Sequence, residues 1–125
     1  MLDELEVVAV LPVQDMTRAR AFYKDAFGLD ATGEDETGVL FRLKSGTSFM
    51  LYETPNAGSA KNTQLCWMTP DLDRDMAELR SKGVTFADID MPGLKTENGV
   101  ATLGPSRSAW FSDSEGNVLC IGERA

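Results

Sequence analysis

The spacing of apolar positions changes along the chain between the pattern of a strand and the pattern of a helix. The same order of patterns occurs twice. In the first half, the apolar run at residues 5–13 (LEVVAVLPV) predicts a buried strand that ends near Pro12. The next stretch, QDMTRARAFYKDAFGL, predicts a helix because its apolar residues recur at helical spacing. Asp15 or Thr17 can cap the start of this helix, and Gly28 can end it.

The rest of the first half predicts strands followed by a linker. Residues 39–46 and 47–53 are apolar runs that meet at Ser45-Gly46, which is typical of a β-hairpin. Residues 30–34 give only a weak signal for a further strand. The small and polar segment PNAGSAKN at 55–62 predicts a linker.

The second half repeats this order of elements. The pattern predicts a strand at 63–70, a helix at 71–83, a strand at 84–89, a loop at 92–106 and a hairpin at 108–123. The order is again strand, helix and then strands, which indicates an internal repeat.

The spacing between matching positions supports this repeat. The helix starts Asp15 and Asp71 are 56 residues apart, and the hairpin glycines Gly46 and Gly116 are 70 residues apart. The loop in the second half accounts for the longer second spacing. We therefore predict an α+β fold of two βαβββ modules that form a cupped mixed sheet.

The repeat also predicts the domain organisation. We expect a single domain, 1–125, made of module 1–54 and module 63–125 joined by linker 55–62. The sheet of one module cannot bury its apolar face alone. The modules are therefore expected to pair around a shared concavity, either within one chain or across a homodimer.

Composition and charge exclude several classes of function. Twenty acidic against twelve basic residues give a net charge of −8, which opposes binding to nucleic acid. The chain has no histidine, which excludes Ser-His-Asp triads, Cys-His pairs and zinc sites built on histidine. The acidic start MLDELE and the lack of a long apolar run predict a cytoplasmic protein that does not interact with membranes. Cys66 and Cys120 suit a reducing compartment, although a single bridge between them stays open.

Three motifs carry a resemblance to a known family. VLPVQDMTRARAFYKDAFGL, TPDLDRDMAELRSKGV and WFSDSEGNVL resemble, in this order, segments of the glyoxalase / bleomycin-resistance / dioxygenase group, the vicinal oxygen chelate superfamily. Two departures occur in the last motif, where Ser114 replaces the usual Pro and Glu115 the usual Asp. The resemblance covers nearly the whole chain and implies a cupped sheet around a small-molecule cavity.

The resemblance also implies where a metal would be held. Enzymes of this family commonly bind a divalent metal at four positions, which correspond here to Val8, Met50, Gln64 and Cys120. This set contains neither a carboxylate nor an imidazole, so it does not suit hard divalent ions, and a zinc shell would stay mostly empty. We therefore predict that the chain uses no metal and no cofactor.

Strand alternation predicts which side chains line the cup if those four positions face it. The predicted ligand-binding residues are Val8, Leu40, Arg42, Met50, Tyr52, Gln64, Cys66, Trp110 and Cys120. This surface is mainly apolar and aromatic with a few polar groups, which is typical of a small-molecule pocket. The same side chains can instead fill one another's space as a second core.

For three of these residues the sequence leaves open whether the side chain binds a ligand or has a structural role. Trp110 either stacks on a planar ligand or packs, and Gln64 either orients a ligand or makes a cross-strand hydrogen bond. Arg42 either binds an anionic group or forms a surface ion pair. Cys66 and Cys120 have no predicted basic neighbour that would make a thiol nucleophilic, so no catalytic residue is predicted.

These observations predict a metal-independent small-molecule-binding protein of the glyoxalase/bleomycin-resistance type. Its ligand is expected to be largely apolar or aromatic and to lie in the cup between modules. The alternative is a lyase, isomerase or dioxygenase of the glyoxalase type with an unconventional metal site. A third possibility, an interaction module without a ligand, requires a closed cup. Whether the chain is an enzyme stays open at this point.

Overall fold

The computed structural model describes residues 1–123. After a short 3₁₀ turn at Leu2–Glu4, the first half forms one helix and four strands. These elements are β1 (Ala9–Val13), α1 (Met16–Phe27), β2 (Gly33–Asp35), β3 (Gly38–Arg42) and β4 (Ser48–Glu53). The order is the βαβββ order that the sequence predicts, and the weakly indicated strand is present as β2.

The second half forms the other helix and six strands. These elements are β5 (Leu65–Met68), α2 (Leu72–Ser81), β6 (Asp90–Met91), β7 (Leu94–Glu97), β8 (Val100–Leu103), β9 (Ser106–Ser112) and β10 (Val118–Glu123). Within residues 1–123, no helix has the length and hydropathy that crossing a membrane would require.

The second sheet repeats the topology of the first and adds the strands β7 and β6 at one edge. The first has the strand order β1-β4-β3-β2 and the second β5-β10-β9-β8-β7-β6. In each sheet the first strand pairs in parallel with the last strand, and the other pairings are antiparallel. The α+β fold with two mixed sheets is therefore confirmed.

Both helices begin and end as the sequence indicates. The Asp15 carboxylate accepts a hydrogen bond from the Arg18 amide at the start of α1, and Asp71 accepts one from the Arg74 amide at the start of α2. Each bond satisfies a backbone donor that has no partner within the helix. Gly28 ends α1 with a φ of 68°, a conformation that glycine adopts without strain.

Three parts of the predicted secondary structure are wrong. The first strand is shorter than residues 5–13 because it pairs with β4 only from Ala9 onward. Residues 84–89 form no strand, although the Ala87 amide donates to the carbonyl of Trp110. The predicted loop at 92–106 instead contains the β7–β8 hairpin.

The β7–β8 hairpin turns at Asn98 and Gly99, which have φ angles of 53° and 81°. Two consecutive left-handed residues are typical of the tight turn that joins antiparallel strands, and Asn-Gly is its strongest sequence signal. The signal was therefore present in the sequence, within a segment that reads as polar overall.

Side chains from both sheets meet in one core through α1. The ring of Tyr23 lies 5.7 Å from that of Phe49 in the first sheet, measured between centroids. One turn later, the Phe27 ring lies 5.7 Å from Trp67 and 5.6 Å from Phe111, both in the second sheet. Helix α1 thus contacts the helix-side faces of both sheets, and the modules of one chain are joined on that side.

The turn between β9 and β10, residues 113–117, adds polar contacts between the modules. The buried Glu115 carboxylate accepts from the backbone amides of Gln14 and Asp15 at 2.8 and 3.0 Å and from the Arg18 guanidinium at 2.8 and 3.0 Å. The Arg18 hydrogen bond is the main reason that the pKa of Glu115 falls to about 2. The carboxylate is thereby kept charged against the cost of burial.

Asp113 and Asn117 complete this junction. The Tyr23 hydroxyl donates to Asp113 at 2.7 Å, and the Asn117 amide donates to the carbonyl of Pro12 at 2.9 Å. Asp113 also accepts from the backbone amides of Glu115 and Asn117 and from the Asn117 side chain. Burial raises the pKa of Tyr23, and Asp113 adds to this effect. The turn therefore fixes the first strand and the first helix to the second sheet.

Candidate ligand-binding surface

The first sheet has one face in the core and one face toward solvent. Met50 is in register with Val10 on one side and with Leu40 on the other, so these three side chains share the face opposite the core. We call this surface the first inner face; it comprises Val10, Leu40, Arg42, Ser48, Met50 and Tyr52. Val8, which was predicted for this surface, precedes β1 and has no register partner. Val10 is 50% exposed and Tyr52 is 38% exposed. The first inner face is therefore open in a single chain.

The second sheet has an equivalent surface. Cys120 is in register with Cys66 and with Trp110, and Gly122 is in register with Met68 and Ser108. We call this surface the second inner face; it comprises Cys66, Met68, Ser108, Trp110, Val118, Cys120 and Gly122. Gln64, which was predicted for this surface, precedes β5 and has no register partner. Met68 is 52% exposed. The alternation predicted from the sequence agrees with these registers, which also place Gly122 on this face, two residues beyond Cys120.

Trp110 is held in place by a hydrogen bond. Its indole nitrogen donates to the hydroxyl of Thr63 at 2.9 Å, while its ring is half-buried. Thr63 precedes β5 and was not among the predicted site residues, since nothing in the local pattern links it to a residue 47 positions away. The bond fixes the ring orientation and leaves part of the aromatic surface available for stacking.

The amide of Gln64 has partners at both ends. Its nitrogen donates to Asn117 at 2.9 Å, and its oxygen accepts from the backbone amide of Val118 at 2.8 Å. These are cross-strand hydrogen bonds, which were predicted as the alternative to ligand binding for Gln64. It binds the start of β5 to the start of β10.

Arg42 lies at the edge of the first inner face. Its guanidinium is 3.5 Å from the carboxylate of Glu6, and both side chains are more than half exposed. This contact is a surface ion pair, which was predicted as the alternative to anion binding for Arg42. Exposed pairs of this kind contribute little to stability.

The two cysteines are free thiols that differ in exposure. Cys66 is exposed and Cys120 is buried. Burial is the main reason that the pKa of the Cys120 thiol rises to about 12, and its neighbour Cys66 adds to the effect. Cys120 therefore stays protonated at neutral pH and is a poor nucleophile.

The four positions that correspond to the family's metal ligands do not provide a site for a hard divalent ion. Val8 and Met50 carry no oxygen or nitrogen donor, Gln64 is bonded at both ends, and Cys120 is a protonated thiol. In the part of the chain that the structure describes, no group of three or more His, Cys, Asp or Glu side chains is placed to hold a metal ion. The donor set thus lacks the charged oxygens that such ions need.

Two surface cavities lie on the other side of the molecule, near α2. One, of about 490 Å³, is lined by residues that include Arg80, Phe86 and Gly99. The other, of about 400 Å³, is lined by residues that include Asp73 and Arg107. Neither cavity includes a residue of the two inner faces. In a single chain, Val10, Tyr52 and Met68 of the inner faces are exposed to solvent.

Comparison with protein families gives one match over most of the chain. The family model described as Glyoxalase/Bleomycin resistance protein/Dioxygenase superfamily matches residues 5–121. No curated protein matches the chain.

Solved structures share the fold at low sequence identity. A glyoxalase / bleomycin resistance protein from Catenulispora acidiphila DSM 44928 is 22% identical, with a TM-score of 0.71 over 97% of this chain and 99% of that chain. TnmS3, an antibiotic binding protein from Streptomyces sp. CB03234, is 25% identical, with a TM-score of 0.66 over 97% and 98%. A lactoylglutathione lyase from Agrobacterium tumefaciens is 18% identical, with a TM-score of 0.70 over 95% and 92%. Proteins of this shape thus include both binding proteins and enzymes.

Proposed function

Since the chain belongs to the Glyoxalase/Bleomycin resistance protein/Dioxygenase superfamily, we propose that it binds a small, largely apolar or aromatic molecule and does so without a divalent metal. The ligand lies on the two inner faces. The observation that carries this proposal is the chemistry of those faces: among the residues named above for them, Arg42 alone is ionic, and it is paired with Glu6 at the edge. A surface of this kind favours apolar contact and stacking over metal or acid–base chemistry.

Trp110 is the residue best suited to bind a planar ligand. The hydrogen bond to Thr63 holds its ring in one orientation before any ligand arrives. A side chain that is already ordered loses little conformational entropy on binding. Tyr52 and Met50 on the first inner face offer an aromatic ring and a flexible thioether as the opposite wall.

A second copy of the chain completes the cup in this proposal. The modules of one chain are joined on their helix sides, so both inner faces lie away from the shared core. Large apolar side chains remain exposed on them, including Val10, Tyr52 and Met68. A two-fold axis can bring the first inner face of one chain opposite the second inner face of the other, which buries these side chains around the ligand. The free thiols suit a homodimer in the reducing cytoplasm.

The similarity to an antibiotic binding protein supports binding as the activity of this chain. The enzyme alternative, a lyase, isomerase or dioxygenase, needs a metal or a general base at the inner faces. The described side chains offer neither in the predicted positions. We therefore place binding first.

The experiment is a ligand screen on metal-free protein. Aromatic and cationic small molecules are tested in EDTA by thermal unfolding and by quenching of tryptophan fluorescence. We expect at least one ligand class to raise the unfolding temperature and to bind about tenfold or more weakly to Trp110→Leu. Phe22→Leu is the matched control, because Phe22 is an aromatic residue of α1 on the helix side. Binding that is unchanged in Trp110→Leu, or that appears only after a divalent metal is added, would contradict the proposal.

A further inference from the structure

Three sulfur atoms lie together on the second inner face. Cys66 and Cys120 are register partners on adjacent parallel strands, so their side chains lie next to each other on the same face. The sulfur of Met68 is 3.9 Å from that of Cys66. Three soft donors from two strands are thus held within one small area.

A small gap lies beside these sulfur atoms because Gly122 has no side chain. Gly122 lies in register between Met68 and Ser108. A Cβ atom at this position would lie 3.7 Å from the Cys66 sulfur and 3.2 Å from the Ser108 hydroxyl. The glycine therefore leaves a gap next to the thiol pair. Cys66 and Met68 are both exposed, so the gap is reachable from solvent.

The chemistry of the donors selects the ion. Magnesium, calcium and manganese prefer oxygen ligands, which this cluster lacks apart from one hydroxyl. A thioether is a weak ligand for zinc, and iron–sulfur clusters need more thiolates than the two present. Thiolate together with thioether is the ligand set that favours Cu(I).

We infer that Cys66, Cys120 and Met68 form a binding site for Cu(I) on the second inner face. On binding, each thiol loses its proton to solvent, two copper–thiolate bonds form, and the Met68 sulfur adds a neutral third donor. The oxidation state of copper does not change. This inference goes beyond the proposed function and does not depend on it, since small-molecule binding is measured on metal-free protein.

The test is an anaerobic titration of the reduced protein with Cu(I) in competition with a chromophoric Cu(I) chelator, bathocuproine disulfonate. We expect one Cu(I) per chain together with an ultraviolet copper–thiolate absorption band. Cys120→Ser is expected to bind at least about a hundredfold more weakly, and Met68→Leu about tenfold more weakly. Met91→Leu is the matched control, because it removes an exposed thioether from β6, at the edge of the second sheet far from β5, and should leave the affinity unchanged.

The variant Gly122→Ala distinguishes a specific loss of Cu(I) binding from a general loss of structure. This variant keeps all three sulfur atoms and fills the gap beside them, so Cu(I) affinity should fall while circular dichroism and the unfolding temperature stay close to those of the parent. Equal affinity in Met68→Leu and Met91→Leu, no competition with the chelator, or equally tight binding of Zn²⁺ would each overturn the inference.

Discussion

The two inner faces occupy equivalent positions on sheets that share the order of four strands, β1-β4-β3-β2 and β5-β10-β9-β8, yet their chemistry differs. The first offers mainly hydrocarbon side chains and a phenol, such as Val10, Leu40 and Tyr52. The second carries thiols, a hydroxyl and an indole, such as Cys66 and Trp110. The helix-side faces, in contrast, are both apolar and meet in one core. Stability thus depends on the side that the modules share, and the inner faces are free to differ.

The hairpin turns of the modules differ in the same way. The turn at Ser45 and Gly46 is exposed and is closed by contacts within its own hairpin. The turn at residues 113–117 is mostly buried and reaches across to the first strand and first helix. Equivalent places in the repeat therefore have different roles, since only the second turn joins the modules.

The largest expected effect tests this difference between the turns. Asp113→Ala removes the acceptor of the Tyr23 hydroxyl and of two backbone amides, which leaves buried donors without partners. We expect a loss of about 3 kcal/mol or more in the free energy of unfolding, measured by urea denaturation. Ser45→Ala in the first turn is the matched change and should cost less than about 0.5 kcal/mol. Similar losses in both variants would contradict the assigned roles.

The second prediction concerns how the contribution of this junction to the free energy of unfolding depends on pH. The pKa of Glu115 is about 2 in the folded protein and has an ordinary value of 4.5. Its contribution to stability is therefore complete above pH 4.5 and is lost as the pH falls toward 2. From the size of this shift we expect a contribution of roughly 3 kcal/mol.

Glu115→Gln provides the measurement. The variant should be less stable at pH 7, and its free energy of unfolding should fall less steeply than that of the parent between pH 5 and pH 2. Some slope remains because the pKa values of Asp35, Asp75 and Glu123 are also lowered. Parallel curves for parent and variant would show that Glu115 does not carry this dependence.

A smaller effect tests the pairing of unlike inner faces. Val10→Glu places a charge in the centre of the proposed interface and should weaken dimerisation by about 2 kcal/mol, or roughly thirtyfold in dissociation constant. Sedimentation equilibrium measures this change. Thr17→Glu adds the same charge at an exposed position of α1 and should leave the association unaffected. A parent protein that is monomeric at all concentrations would contradict the pairing.

The order of elements was largely predictable because it depends on local signals. Asp15, Asp71 and Gly28 act at the helix ends as their types indicate, and strand alternation placed the inner-face residues in the observed registers. The β7–β8 hairpin was missed although Asn98-Gly99 is a strong turn signal, because the surrounding residues 92–106 read as a polar loop.

The contacts of the site residues were less predictable because they join distant parts of the chain. Gln64 and Asn117 are 53 residues apart, and Trp110 and Thr63 are 47 residues apart. Neither pair leaves a mark in the local pattern of apolar and polar positions. The junction between the modules has the same character, since Glu115 meets residues that lie about a hundred positions earlier.

Thermal unfolding is the best test of whether the inner faces bind small molecules without a divalent metal. The protein is stripped with EDTA and then unfolded in Mn²⁺, Ni²⁺, Zn²⁺, Fe²⁺ and Mg²⁺ in turn. An ion present at a hundred times its dissociation constant adds about 2.7 kcal/mol to stability, which raises the midpoint by several degrees in a domain of this size. We predict no such rise with any of these ions. A rise of that size that EDTA reverses would contradict the claim and would favour the enzyme alternative.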